Sequence, residues 1–164
     1  MNRSVLKFGG SSVSDFTKIK NIAGMLKNRV EQGEQLIVVV SAMGKTTDQL
    51  MENVSTLTST PKEQELALLL TTGEQQTVSY LSMVLNDIGI SAKAMTGYQA
   101  GIKTIGHHLK SKIAEIDPST FETAFNKYDV LVIAGFQGIN EDHELTTLGR
   151  GGSDTTAVAL AASN

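Results

Sequence analysis

Cysteine is absent from the 164 residues, so disulfides, zinc–thiolate sites and thiol nucleophiles are excluded together. That absence suits a reducing compartment. Surplus positive charge is lacking too. The formal net charge is -3 and the isoelectric point about 5.6, so no basic field exists to attract phosphate backbones, and no nucleic-acid partner is expected. Long apolar runs are missing: Leu36–Val40 falls far short of the roughly 20 residues that a membrane helix needs. The opening residues MNRSVLKFGG carry polar side chains and Lys7 where a secretory signal requires an apolar stretch. The expected location is therefore the cytoplasm, with no membrane contact. Internal repeats, low-complexity tracts and interdomain linkers are absent as well. What remains is an ordinary globular composition, 40% hydrophobic and 19% charged, on a chain long enough for one domain with a core.

Three short apolar runs rich in β-branched residues read as strands buried on both faces: Val5–Phe8, Leu36–Ser41 and Val130–Ala134. A weaker strand is expected over Ser91–Met95, after the stop signal Asn86–Gly89. Helical spacing fills the gaps. Ile19, Ile22, Leu26 and Val30 recur on one face, with Ser14 or Asp15 as N-cap and Gly33 just past the end. Glu65–Leu85 is helical in pattern, and the Thr72–Gly73 pair predicts a kink or break within it. Pro118–Ser119 opens a short helix through Phe125, and Ser153 starts another that ends near the C-terminus. Strands alternating with helices imply a parallel sheet covered on both sides.

Ligands of such sheets bind beyond the carboxyl ends of the strands. Four glycine-containing turns are expected there: Gly9–Ser12, Ala42–Thr47, Gly135–Gly138 and Gly149–Asp154, the last opening a helix. Glycines admit an anion close to the backbone, and a helix N-terminus adds unpaired N–H groups. Lys7 before the first turn and Arg150 in the last bring positive charge. The combination suits a nucleotide phosphate and a carboxylate bound side by side, although each turn by itself reads equally well as a tight turn. Three motif matches fail. Gly44–Lys45–Thr46 lacks the earlier glycine of a P-loop, since position 39 is Val39. Gly149-x-Gly151 has Asp154 where a dinucleotide fingerprint has its third glycine. No glycine completes a nucleophile elbow around Ser11 or Ser12. His107, His108 and His143 have no metal-ligand spacing, and no protein metal site is expected.

Taken together, KFGGSSV (Lys7–Val13), VVSAMGKTTD (Val39–Asp48), TTGEQ (Thr71–Gln75), AGFQG (Ala134–Gly138) and TTLGRGGSDTTA (Thr146–Ala157) resemble the aspartokinase signatures, in that family's order and approximate spacing. The resemblance spans Lys7 to Ala162. It implies a three-layer α/β/α sandwich with a mainly parallel sheet, of the amino acid kinase type, with ATP and L-aspartate meeting over the carboxyl edge.

The resemblance also implies roles. Lys7 neutralises the transferring phosphoryl group, helped by Gly9, Gly10, Ser11, Gly151 and Gly152, while Asp154 orients the phosphate-binding lysines. Asp154 also reads as a plain helix-start aspartate. Arg150 clamps the α-carboxylate, Glu74 meets the α-ammonium, and Ser41, Thr47 and Ser153 complete the substrate side. Glu74 as a solvated cap residue, and Ser41 and Thr47 as turn residues, are the structural alternatives. The implied reaction is attack of the aspartate side-chain carboxylate on the γ-phosphorus of ATP, giving 4-phospho-L-aspartate and ADP, at the head of lysine, threonine and methionine biosynthesis. Such a carboxylate is already ionised and needs no general base. Mg2+ is expected with the nucleotide, held mostly by phosphates and water. The family's catalytic domain continues past the point reached at Asn164, into an adenine pocket, a further phosphate-contacting lysine and regulatory ACT domains. A truncated chain with little activity of its own and self-associating apolar surface is therefore expected, from a homo-oligomeric parent. Competing readings are a kinase of glutamate, acetylglutamate or carbamate, and a non-catalytic binding module of the same fold.

Overall fold

The run Glu34–Val40 is buried on both faces over its last five residues, so it needs cover on both sides. In the computed structural model, which describes residues 2–164, that cover is supplied by helices. In chain order the elements are β1 (Asn2–Phe8), a 3-10 turn (Gly10–Val13), α1 (Phe16–Glu31), β2 (Glu34–Val40), α2 (Thr46–Leu57), α3 (Glu63–Asp87) and β3 (Ala92–Met95). They continue with β4 (Ile102–Ile105), β5 (Lys112–Ile116), α4 (Ser119–Ala124), β6 (Val130–Ala134), β7 (Gln137–Ile139), β8 (Leu145–Thr147) and α5 (Gly152–Ser163).

The main sheet has the order β1-β2-β6-β3, parallel throughout. Strand side chains alternate between faces. Leu36, Val38 and Val40 pack with Ile19, Leu26, Val78, Leu81 and Leu85 of α1 and α3. Ile37 and Val39 pack the other way, with Phe121 of α4 and Leu160 of α5. The three-layer α/β/α arrangement expected from the sequence is what forms. Asp15 is the N-cap of α1, its carboxylate accepting from the Lys18 N–H at 2.8 Å, and Gly33 beyond the helix end has φ +96°.

Register decides where the chemistry sits. Phe8 lies opposite Val40 and Val40 opposite Ala134, so β1, β2 and β6 end flush. The Ser41 N–H donates to Phe8 O at 3.1 Å and the Gly135 N–H to Val40 O at 3.0 Å, which starts all three following turns side by side.

Two expectations need correction. The Thr72–Gly73 pair does not break the long helix: α3 runs unbroken through it. The Thr71 and Thr72 hydroxyls donate back to Leu68 O at 2.8 Å and Leu69 O at 2.6 Å, which keeps both residues compatible with the helix. Gly73 is there for packing. A Cβ on it would lie 2.9 Å from the Ala42 Cβ, so the missing side chain lets α3 press against the turn after β2. The second correction concerns a smaller mixed sheet, β5-β4-β7-β8, and helix α2, neither of which the sequence patterns disclosed. The strands of that sheet are three to five residues long, and β4 alternates buried and exposed positions with Lys and Thr among them.

Two glycines inside helices should respond oppositely to a side chain. Gly24 in α1 is exposed with nothing within 4 Å of a Cβ, so Gly24→Ala should stabilise by about 0.5–1 kcal/mol. Gly73→Val should destabilise by about 1–3 kcal/mol through overpacking against Ala42. Urea unfolding of both variants checks the pair of signs.

Candidate functional site

The aligned strand ends enclose a cleft of about 340 Å³. All four glycine turns reach it: Gly9 and Gly10 from the first, Ala42, Gly44 and Thr47 from the second, Phe136 from the third, and Gly151 to Asp154 from the last. The convergence expected from the sequence is therefore observed.

Lys7, one residue before the end of β1, turns its ammonium toward α5 and pairs with Asp154 Oδ1 at 2.8 Å. A Cβ on Gly9 would come to 3.2 Å from Lys7 Nζ, so the bare glycine leaves open the space around the ammonium. Gly10 is fitted as closely, with a hypothetical Cβ 3.2 Å from Ala42 O and 3.4 Å from Gly44 O. Gly151 at φ +76° turns the chain into α5, whose first residues line the cleft and whose first N–H groups have no partner within the helix. Ser41 Oγ and Ser153 Oγ are hydrogen-bonded at 2.8 Å, tying the end of β2 to the start of α5. That approach depends on Gly135, where a Cβ would lie 2.7 Å from Ser153 Oγ.

Glu74 lies in the interior of α3 and is 2% exposed. It is not at a helix break, and it is not a solvated cap residue. Its Oε1 accepts from Gln137 Nε2 at 2.8 Å, and no cationic side chain pairs with it among the described residues. Burial pushes its carboxyl up to about 8, against the lowering effect of the Gln137 hydrogen bond. A carboxyl buried at the wall of a cleft without a counter-ion resists ionisation unless a cation is brought to it.

Two expected site residues lie elsewhere. Arg150 is exposed and lines the neighbouring groove, with Lys110 and Lys112, across a wall shared at Asp154. Ser11 is exposed in the 3-10 turn, where its carbonyl accepts from Lys18 Nζ at 2.9 Å. Conversely, Phe136 and Gln137 belong to the site region, though the sequence showed them only as parts of a turn. Phe136 lines the cleft with φ +72°, a conformation that bulky residues seldom adopt. A large apolar residue and a glutamine set between Gly135 and Gly138 were the available signal. Of the histidines, His108 lies 3.1 Å from Glu144 and does not line the cleft.

The model of the amino acid kinase family matches residues 2–163. Aspartokinase 2 of Bacillus subtilis (strain 168) is 49% identical over 162 residues, covering 99% of this chain and 40% of that protein. Among solved structures, an aspartate kinase from Synechocystis superposes with a TM-score of 0.79 at 43% identity, covering 96% of this chain and 26% of that one. An E. coli aspartokinase III, solved in complex with aspartate and ADP, shares the fold at TM-score 0.79 and 20% identity, covering 99% of this chain and 47% of that one. The chain thus spans two fifths or less of the length of the first two relatives. No helix among the described residues is long and apolar enough to cross a membrane.

The raised carboxyl of Glu74 makes stability depend on pH. Its folded pKa of about 8 exceeds the ordinary 4.5, so the folded state resists ionisation. The contribution is fully favourable below 4.5 and is lost as pH rises from there to about 8, at up to about 1.4 kcal/mol per pH unit. Glu74→Gln keeps an acceptor for Gln137 and removes the ionisation. Thermal melting should show little difference from the parent chain in acid and a growing advantage for the variant toward alkaline pH.

Proposed function

The chain belongs to the amino acid kinase family, and on that premise we propose that it carries the substrate- and phosphate-binding part of an aspartate kinase, phosphorylating the side-chain carboxylate of L-aspartate with ATP. The observation that carries this proposal is one cleft holding both a lysine beside glycine turns and a buried carboxylate without a cation. The first suits a phosphate and the second an α-ammonium, so the site fits a zwitterionic amino acid next to a nucleotide. The 49% identity to an aspartokinase over nearly the whole chain favours aspartate over glutamate, acetylglutamate or carbamate.

The nucleotide, when bound, supplies the γ-phosphoryl group, and Mg2+ screens its charge. The cradle at Gly9 and Gly10, whose hypothetical Cβ atoms would crowd Lys7 Nζ and Ala42 O, fits a phosphate held by backbone N–H groups. The N-terminus of α5 at Gly151 and Gly152 faces it. Lys7 neutralises charge on the transferring group, and Asp154 at 2.8 Å fixes the direction of its ammonium. Phosphates and water would hold the ion. Glu74 accepts the α-ammonium, and Thr47, Ser41 and Ser153 offer hydroxyls around the substrate. Arg150 clamps the α-carboxylate in this scheme, which requires its side chain to swing across the Gly149–Gly151 turn from the neighbouring groove. The acceptor carboxylate is ionised at neutral pH, so these residues act by placement and charge neutralisation rather than by removing a proton. We place the reaction in the cytoplasm, at the entry to lysine, threonine and methionine synthesis. Further chain beyond Asn164, carrying the adenine site and regulatory domains, and assembly of copies belong to the same proposal.

Succinate separates the alternatives, because it has both carboxylates of aspartate and lacks the ammonium. NMR titration of the chain with L-aspartate should shift resonances at Glu74 and Thr47, and succinate should bind at least about tenfold more weakly. Equal binding of succinate, or no response to either, would overturn the assignment. On the phosphate side, in a chain extended to include the adenine site, Lys7→Ala should weaken ADP–Mg2+ binding by about tenfold or more while leaving L-aspartate binding nearly unchanged. Calorimetric titration of the variant measures both.

A further inference from the structure

Gln137, the first residue of β7, is 2% exposed and uses its whole side-chain amide. Its Oε1 accepts from the Gly97 N–H at 3.1 Å. Its Nε2 donates to Thr71 O at 3.1 Å and to Glu74 Oε1 at 2.8 Å. A backbone N–H can only donate, so Gly97 requires the amide oxygen on its side. The NH2 group must then face Thr71 and Glu74. Reversal of the amide would break three bonds inside the core and set a carbonyl oxygen against a carboxylate. The orientation is locked by groups that take no part in ligand binding.

We propose that Gln137 is a positioning residue for the amino acid substrate, its locked amide holding the Glu74 carboxylate in the orientation that meets the substrate's ammonium. The inference rests on the assignment of Glu74 to the ammonium made above. Gln137 holds Oε1 and leaves Oε2 for the ligand. An NH2 group donates only, so it favours the ionised carboxylate over the acid, against the effect of burial. No charged group does this in its place. The titratable groups on the cleft besides Glu74 are Lys7 from β1 and Asp154 from α5, and these pair with each other. The elements that face Glu74 otherwise present uncharged residues: Thr47 of α2, Ser41 after β2, and Phe136 and Gln137 at the start of β7. Gln137 therefore sets both where the carboxylate points and how readily it carries charge.

The first test needs no substitution at Gln137. In side-chain 15N and 13C NMR of the chain, the Gln137 NH2 resonances should titrate with the same midpoint as the Glu74 carboxyl, and Glu74→Gln should abolish that titration. Gln137→Met, close in size and without donors, should then raise the Glu74 midpoint by about one unit and weaken L-aspartate about tenfold near neutral pH. ADP–Mg2+ binding should not change. In a Glu74→Gln background, Gln137→Met should add little further loss, because the two act as one unit. A merely structural tie would lower the melting temperature yet leave the midpoint in place. Flat Gln137 resonances across the Glu74 titration, or a folded Gln137→Met chain with unchanged midpoint, would overturn the proposal. Coupled titration in a chain that ignores every amino acid would support the positioning role and overturn the substrate assignment instead.

Discussion

Flush parallel pairing is the constraint from which the rest of this structure follows. β1, β2 and β6 end opposite one another at Phe8, Val40 and Ala134, and each chain then leaves the sheet at the same level. Three turns begin side by side, and the only room for them is above the edge of the sheet. Glycine stands at the positions in these turns where a side chain would collide. Gly10 packs under Ala42 and Gly44, and Gly135 packs under Ser153. α5 completes the ring, drawn in by the Lys7–Asp154 pair and the Ser41–Ser153 hydrogen bond. The cleft is thus the space left over when aligned strands must turn without clashing.

Its two ends differ in electrical character for reasons that lie in burial. Lys7 and Asp154 are partly exposed, with side chains 34% and 68% accessible, and water screens their attraction. Glu74 has no such relief. It sits on a helix pressed against the sheet, with an amide as its hydrogen-bonding partner. A ligand's ammonium would supply the counter-charge that the fold withholds. Above the ordinary carboxylate range the protein is therefore less stable than an uncharged side chain at this position would make it.

Much of this was legible in the sequence because it depends on local pattern. The runs Leu36–Ser41 and Val130–Ala134 are too apolar for anything but doubly covered strands, whereas Val5–Phe8, expected to be buried on both faces, forms the half-buried edge strand β1; the glycines after all three mark where the chain turns. Lys7 stood out as a charge set in such a run. The small sheet was illegible for the opposite reason. Strands like Gln137–Ile139 and Leu145–Thr147 are stabilised by their neighbours, including the buried Thr104–Thr146 hydroxyl contact at 2.6 Å, and their own composition says little. Gly73 misled because a glycine in a helical pattern reads as a stop, whereas here the decisive neighbour, Ala42, is distant in sequence. Arg150 shows a further limit. The sequence places it one residue before Gly151 in the last turn, and only the structure shows its side chain in the adjoining groove.

The stretch from Ala134 to Gly138 joins the main sheet to the small one, and nearly every position in it is sterically spoken for. Ala134 is fully buried, Gly135 faces Ser153, Gln137 has each amide group engaged, and a Cβ on Gly138 would lie 2.7 Å from Ile102 O. The Phe136 ring is open on one side only, bordering the cleft there and packing against Gly152 on the other, where a Cβ would lie 2.5 Å from its Cδ1. Even there φ +72° disfavours β-branched replacements and tolerates Asn, Asp, His or Gly best. The alphabet available to this segment is therefore almost closed. A change in the shape of the cleft would have to enter through that one ring or through positions outside the junction, and the junction itself would stay as it is.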